Sequence, residues 1–403
     1  MKLLIVFNSK YWDRSSEALY RELSKRINKS ITSLRMPGDF HDLIRLHKET
    51  NYDAIILIGD FSCWDYYTVD NIEVSDYLKT LFLESRVPRL WVLINDLHHH
   101  ADDLLNGRKT LDDKLRNTNI STEFDHMKYF DMLAWPYEHI ENISEKFDLP
   151  DQVFSENRVL HLDKMAVAMS TFDKLKNAFP SRMEFYHCVD TNEFRLFPKI
   201  LYRLKLMKFY VPGRRYPTRS YIESRLIKLK MIKTHQLVAS SFVEIILNKS
   251  IVLISRIFPE NSTKRYKNFV RFQKHIVMLS LGKFVWVDGS YSNYPVRKYF
   301  EIPMCNSLML TVPSSFLKSL GFQGDVNCFT MYPGDIGLNK FSFHDLEKNR
   351  YISMINAAKE IILSSHKPVN RIAQLLYFLD NYRSNSTIRG FYENNKFIVS
   401  QSN

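Results

Sequence analysis

The run Asp53-Ala54-Ile55-Ile56-Leu57-Ile58-Gly59 limits the folds open to this chain more than any other segment. A strand with one wet face alternates apolar and polar residues. Five apolar residues in unbroken succession instead mark a strand covered on both faces, the usual state of a parallel sheet flanked by helices. Arg89–Asn95 (RLWVLIN) repeats the pattern. Between such runs lie helical stretches. Ser15–Ile27 carries Leu19, Leu23 and Ile27 at four-residue spacing, which puts them on one helix face. Phe40–His47 and Val74–Phe82 read the same way, and Lys2–Phe7, Ile31–Met36 and Tyr129–Trp135 read as further strands. This βαβα order predicts a doubly wound parallel sheet.

The alternation pauses at a pivot over residues 183–200 (MEFYHCVDTNEFRLFPKI) and then resumes. Strands are expected at Lys208–Val211, Ile251–Ile257, Phe284–Val287, Leu308–Val312 and Val326–Met331. Helices are expected at Tyr221–Lys230, Tyr266–Leu281, Arg297–Ile302, His344–Ser364 and Asn370–Asn381. On the long helix, Leu346, Ile352, Ile355, Ala358 and Ile362 fit a buried face. The expected architecture is α/β, with two Rossmann-like domains facing a cleft. Residues 1–187 form the first, 188–380 the second, and 381–403 a tail packing back on the first.

The 403 residues suffice for two cores. Charge divides along the same line. Residues 1–187 hold 24 Lys and Arg against 30 Asp and Glu, whereas residues 188–403 hold 32 against 14. A basic second half attracts phosphates: a nucleotide, a nucleic acid or an anionic membrane surface. Apolar runs such as Ala54–Ile58 and Ile251–Leu253 fall far short of the roughly 20 residues that span a bilayer. The opening MKLLIVFNSKYWD has too short an apolar centre for a signal peptide and reads as a first strand. Cys63, Cys188, Cys305 and Cys328 form neither a metal knuckle nor a disulfide framework, which suits the cytoplasm.

Within the basic half, Val287–Leu310 reads as a turn, a short helix carrying Glu301, a break at Met304–Ser307 and a buried strand. Open α/β sheets bind ligands at the C-terminal ends of their strands, where this carboxylate falls. Three local patterns in order resemble the glycosyltransferases of the GT-B fold, in particular the CgeB-like and family-1-like group. Cys188-Val189-Asp190-Thr191-Asn192-Glu193-Phe194 is similar to the V-D-T-x-x-F turn that opens their C-terminal domain. Lys298-Tyr299-Phe300-Glu301-Ile302-Pro303-Met304-Cys305 resembles their K-x-F-E-x-x-A-C-G segment, and Leu320-Gly321-Phe322 with Asn327 their L-G-F-x-x-x-x-N stretch. Two departures stand out. Asn293 occupies the place of a first Glu eight residues before Glu301, and Asn306 that of the Gly after the cysteine. Asn tolerates left-handed backbone, so the turn is expected to survive. The missing Glu leaves inversion or retention open.

The resemblance implies that Glu301 accepts hydrogen bonds from the ribose hydroxyls of a nucleotide-sugar donor. Arg214, Arg215 and Arg219 follow a strand in PGRRYPTR and suit the charge of a departing diphosphate, with Arg297 and Lys298 as further candidates. Asp288-Gly289-Ser290 follows another strand directly, and Ser290 could touch the donor; an ordinary turn reads the same way. Asp96-Leu97-His98-His99-His100 closes the strand RLWVLIN. Consecutive His residues point in different directions, so a metal site is disfavoured. Asp96, His98 or His99 could instead deprotonate an acceptor hydroxyl in the cleft. A polar loop that only caps and solvates has the same composition. Tyr66, Tyr67 and Trp64 beside Asp60 could stack on a sugar ring. G-x-S-x-G, H-E-x-x-H, P-loop and G-x-G-x-x-G signatures are absent.

The expected activity is sugar transfer from a nucleoside diphosphate or monophosphate sugar, without a metal, to a glycan, glycolipid or protein in envelope polysaccharide or glycoconjugate synthesis. The expected location is cytoplasmic, with the basic surface able to rest on the inner face of an anionic membrane. Two alternatives compete. One is a phage-type DNA-base glucosyltransferase, disfavoured by the acidic first half. The other is a non-catalytic carbohydrate- or nucleic-acid-binding protein on the same scaffold.

Overall fold

The computed structural model describes residues 1–8, 14–28, 30–36, 38–49, 51–59, 68–94, 127–139, 169, 172–195, 197–201, 205–213, 217–230, 249, 260–288, 294–335, 346–383 and 386–402. They form a mixed α/β structure built on two sheets, with a separate two-stranded ribbon, β4 (Thr68–Val69) and β5 (Ile72–Glu73).

The larger sheet has eight strands in the order β14-β13-β8-β7-β6-β3-β1-β2. Its parallel centre comprises β1 (Leu3–Asn8), β2 (Ile31–Met36), β3 (Ala54–Ile58), β6 (Arg89–Val92), β7 (Met132–Trp135) and β8 (Arg182–Glu184). Successive side chains point to opposite faces of a strand. Leu4, Val6, Ile55 and Leu57 therefore enter one apolar core, while Leu3, Ile5, Phe7, Ala54, Ile56 and Ile58 enter the other. That partition is why Asp53–Gly59 carries no polar alternation.

The second sheet is wholly parallel, in the order β12-β11-β10-β9. It contains β9 (Met207–Tyr210), β10 (Gly282–Val287), β11 (Leu308–Thr311) and β12 (Phe329–Thr330). Val285, Val287 and Met309 line one face; Phe284, Trp286, Leu308 and Leu310 line the other. Of the expected strands, Ile251–Ile257 lies outside the described residues.

The helices used below are α1 (Arg14–Ser24), α5 (Pro217–Lys228), α6 (Glu260–Leu281), α7 (Lys298–Met304), α9 (Lys348–Ser365) and α10 (Pro368–Asn381). Before α5 come α2 (Phe40–Glu49), α3 (Val74–Glu84) and α4 (Phe197–Leu201), and between α7 and α9 lies α8 (Ser315–Ser319). On α9, Met354, Ile355, Ala358 and Ile362 are buried, but Ile352 is exposed. Its expected inward position is corrected: the apolar stripe of this helix is narrower than the sequence pattern.

Among the described residues, the chain crosses between the sheets twice. It leaves β8 through residues 185–190 and returns through α10. The apolar face of α10 (Ile372, Leu375, Phe378, Leu379) joins the core of the large sheet beside Leu19 and Leu23 of α1. The antiparallel hairpin β13 (Thr387–Glu393) and β14 (Lys396–Ser402) then extends that sheet, with β13 parallel to β8. Asn394 and Asn395 form its turn at φ 47° and 65°, a conformation that favours Asn or Gly. Arg371 fastens both crossings. It is fully buried and donates to the carbonyls of Tyr186 (2.8 Å) and His187 (3.2 Å) on the outgoing segment and of Ser365 (3.2 Å) on the return.

Candidate functional site

Parallel strands leave their C-terminal ends along one edge, and ligand-binding loops gather there. In the second sheet, β9 ends at Tyr210 and runs through Val211 and Pro212 to Gly213, whose φ is 104°. A methyl group on Gly213 would lie 2.7 Å from Lys298 Nζ and 2.8 Å from Arg219 Nη1. The missing side chain is what lets two cationic heads approach the same stretch of backbone.

The sequence places Arg219 before the helix expected at Tyr221–Lys230. It sits instead in the first turns of α5 and is only 4% exposed. Its Nη2 lies 2.7 Å from Asp288 Oδ1 and donates to the Asp288 carbonyl at 3.1 Å. Asp288 follows β10 directly, and its Oδ2 accepts from Trp286 Nε1 at 3.0 Å. One buried carboxylate thus orients the guanidinium and offsets part of its charge. Lys298 enters the same corner from the start of α7.

Glu301 is on α7, one turn beyond Lys298, and is 4% exposed. Its Oε2 lies 2.8 Å from Nε2 of His275 on α6, and its Oε1 lies 3.4 Å from Nε of Arg297. Burial acts to raise the carboxyl pKa. His275 and Arg297, with Lys298 beyond, outweigh it and bring the group down to about 2. Glu301 is therefore an ionised carboxylate held between an imidazole and a guanidinium. A carboxylate has about four lone-pair positions, so both oxygens keep accepting capacity.

Arg297 connects this corner to the other sheet. Its Nη2 donates to Glu193 Oε2 at 2.5 Å. Glu193 belongs to the 3-10 turn Thr191–Phe194, capped by Asp190, whose Oδ1 accepts from the Asn192 amide at 3.0 Å. Arg21 and Arg14 of α1 reach Glu193 Oε1 at 3.5 and 4.0 Å. Burial raises the Glu193 carboxyl, and Arg297 and Arg14 pull the other way. The V-D-T-x-x-F segment thus anchors an ion-pair chain running from α1 through Glu193 and Arg297 to Glu301.

The break after α7 has a definite cause. Asn306 adopts φ 57°; the Ser307 amide bonds the Ile302 carbonyl at 3.3 Å and the Asn306 amide bonds Pro303 at 2.9 Å. This is a Schellman cap with Asn in the position usually taken by Gly. Its side chain adds a bond to the Pro198 carbonyl (2.9 Å) and another from Lys359. The Leu320-Gly321-Phe322 turn is held likewise: Gly321 has φ 86°, and Asn327 bonds the Gly321 carbonyl (3.0 Å) and the Gln323 amide (2.7 Å).

Arg219, Arg297, Lys298 and Glu301 thus share one corner. Asp96, His98, His99, Arg214, Arg215 and Ser290 lie outside the described residues, as do Asp60, Trp64, Tyr66, Tyr67 and Asn293. Sequence reasoning passed over Gly213, Glu193 and His275 as site members. Gly213 was visible in principle as the glycine closing a strand. His275 was not, because nothing in the sequence links it to a residue 26 positions away. Among the described residues, no group of three or more His, Cys, Asp or Glu side chains is placed to hold a metal. No described helix is long and apolar enough to cross a membrane.

No protein-family model matches the chain, and no curated protein matches it. In structure the chain is similar to several glycosyltransferases. HepE of Anabaena, solved with UDP-glucose, shares 10% identity over 95% of this chain and 100% of that one, with a TM-score of 0.44. A glycosyltransferase from Rickettsia africae shares 11% over 94% and 100%, with a TM-score of 0.43. Sucrose-phosphate synthase from Thermosynechococcus elongatus shares 10% over 94% and 99%, with a TM-score of 0.46. The N-terminal domain of a trehalose-6-phosphate phosphatase from Candida albicans stands at a similar distance, 11% identical with a TM-score of 0.42.

Proposed function

We propose that this chain is a glycosyltransferase that moves a sugar from a nucleotide-activated donor to an acceptor hydroxyl. The observation that carries this reading is the convergence of Arg219 and Lys298 over Gly213 at the C-terminal edge of the second sheet, one helical turn from Glu301. When the bond between an anomeric carbon and a nucleoside diphosphate breaks, negative charge grows on the leaving oxygen. Fixed cations at that position favour the transition state over the ground state. Glu301 supplies an ionised acceptor beside them for a vicinal diol such as ribose. Side-chain cations meet the leaving charge, so the reaction calls for no divalent ion.

In this reading residues 188–380 hold the donor, residues 1–187 present the acceptor, and residues 381–403 return to the first unit. The acceptor is a glycan, glycolipid or protein of the cell envelope. The enzyme works in the cytoplasm, with its basic half able to rest on an anionic membrane surface. A DNA acceptor fits the acidic first half less well.

One observation favours a second reading. Both oxygens of Glu301 already face partners within the chain, the His275 imidazole and the Arg297 guanidinium, as they would in a nucleotide-binding module without turnover.

A panel of nucleotide sugars separates the two. Wild type, Lys298→Ala and Glu301→Ala are assayed for nucleotide binding and for release of free nucleotide. Turnover of one donor by wild type, cut at least tenfold in Lys298→Ala, supports transfer. No turnover of any donor, with nucleotide binding equal in all three proteins, would falsify it.

A further inference from the structure

A second set of titratable groups lies at the C-terminal edge of the large sheet, away from the donor corner. β7 ends at Trp135 and passes through Pro136, Tyr137 and Glu138 to His139; its neighbour β8 ends at Glu184. His139 Nε2 lies 2.6 Å from Glu184 Oε1. Glu184 is 1% exposed, and its Oε2 accepts from the Tyr186 hydroxyl (3.0 Å) and the Tyr392 amide (3.0 Å). The carboxylate is thus fixed by three donors on three segments. The His139 side chain is 35% exposed. With Nε2–H given to Glu184, the neutral ring carries its lone pair on Nδ1.

This edge meets the other sheet. The ring of Tyr137, two residues before His139, packs 4.7 Å from that of Tyr294, which lies between β10 and α7 in the chain. The stretch after β7 and the stretch before α7 therefore meet beside the dyad. A buried acid that orients a part-exposed imidazole is the arrangement by which hydrolases and transferases prepare a base.

Resting on the glycosyl-transfer reading above, the geometry points to His139 as the base that accepts the acceptor hydroxyl proton, with Glu184 as its positioning residue. The hydroxyl proton passes to Nδ1 of His139. The acceptor oxygen forms its bond to the anomeric carbon with the electron pair thus released. The bond from that carbon to the nucleotide breaks, and its electrons leave on the diphosphate oxygen toward Arg219 and Lys298. A base on the acceptor side implies single displacement, so the product is inverted.

The charges around the ring come from every neighbouring segment. The hydrogen bond to Glu184 is the main influence that raises the His139 pKa; burial opposes it, Glu138 adds to it and Lys176 subtracts. Glu138 is itself engaged, with Arg182 at 2.8 and 3.0 Å, Trp135 Nε1 at 3.1 Å and Arg389 at 3.9 Å.

The test uses the full chain with the donor found in the panel above. Product configuration is read by NMR on wild type, which needs no variant to fold. Inversion is expected; retention overturns the assignment. His139→Gln should lower kcat by two or more orders of magnitude with nucleotide affinity unchanged and abolish the acidic limb of the pH–rate profile. Imidazole should restore part of the rate of His139→Ala. Glu184→Gln should move that limb to lower pH. A His139→Gln enzyme with wild-type kcat and an unmoved acidic limb overturns the dyad while leaving the transferase reading intact. Absence of donor turnover in wild type itself counts against the transferase reading, and with it the base.

Discussion

Arg371 Nη2 lies 2.6 Å from Nδ1 of His366, and both side chains are wholly buried. The guanidinium is always a donor, so Nδ1 must accept and the imidazole must carry its proton on Nε2, which faces the Leu320 carbonyl at 3.3 Å. The pair sits where the chain returns from the second sheet to the first. Its protonation state therefore affects how firmly the two sheets are tied.

Acid should loosen this tie first. Burial holds the His366 pKa well below its ordinary value, and the Arg371 charge adds to the effect. Below the unfolded-state value near 6.5, the unfolded chain binds a proton that the folded chain refuses. Stability from this group is thus complete above that value and falls as pH drops, by about 1.4 kcal/mol per unit. Urea unfolding from pH 7 to pH 5 should show this slope in wild type. His366→Asn, whose amide oxygen can stand in for Nδ1, should be less stable at pH 7 but lack this contribution. Equal slopes in both proteins would rule the account out.

A second acid transition should follow from Glu301. Its folded pKa of about 2 lies below the ordinary carboxylate value, so its stabilisation is present above the unfolded value and is lost as pH falls toward 2. Glu301→Gln removes the carboxylate that His275 and Arg297 face and leaves Arg297 with Glu193 alone. With Glu193 still beside Arg297, the change should cost about 1–3 kcal/mol at pH 7, the usual penalty for weakening a buried hydrogen-bonded network. The gap between wild type and variant should close as pH is lowered from 4.5 toward 2, measured by denaturant midpoints at fixed ionic strength.

Much of this framework was legible in the sequence because parallel strands buried on both faces leave unbroken apolar runs. Asp53–Gly59 and Arg89–Asn95 announced β3 and β6 for that reason. The three-residue β8 left too short a trace among the residues of the pivot. The hairpin around Asn394-Asn395 did carry a signal, alternating residues flanking a turn of two Asn, yet nothing local says that its partner is β8, some two hundred residues earlier. The same limit applies at the site. Glu301 stands out in its motif, whereas His275 and Glu193 become relevant only when the fold brings them to Glu301 and Arg297. His139 and Glu184 were missed because a His and a Glu 45 positions apart have no shared pattern.

The cap after α7 offers a test that separates backbone from side chain. At φ 57°, Asn306 can be replaced by Gly without strain, losing only the bonds to Pro198 and Lys359. Asn306→Gly should therefore change stability by less than about 1 kcal/mol. Asn306→Val places a β-branched residue in left-handed backbone and should cost about 2 kcal/mol or more. Equilibrium unfolding of the two variants checks the order. Equal losses would mean that the side-chain bonds, not the backbone angle, hold the turn.

Gly213 gives the sharpest test of the proposed donor corner. A methyl group there meets the head of Lys298, which can swing aside, and the buried guanidinium of Arg219, which must shift against its bonds to Asp288; beyond that shift, the cost to folding is the φ of 104° imposed on an L-residue. That cost should be about 1–2 kcal/mol. The displaced cations, however, no longer converge on one point. Gly213→Ala should therefore weaken binding of a nucleoside diphosphate at least tenfold while leaving binding of the corresponding nucleoside almost unchanged. The dependence of diphosphate affinity on salt should flatten as well, because fewer fixed charges remain to be screened. Calorimetric titration of wild type and variant at two salt concentrations measures all three quantities. If nucleoside and diphosphate lose affinity equally, the glycine only shapes the loop, and Arg219 and Lys298 do not form the phosphate seat.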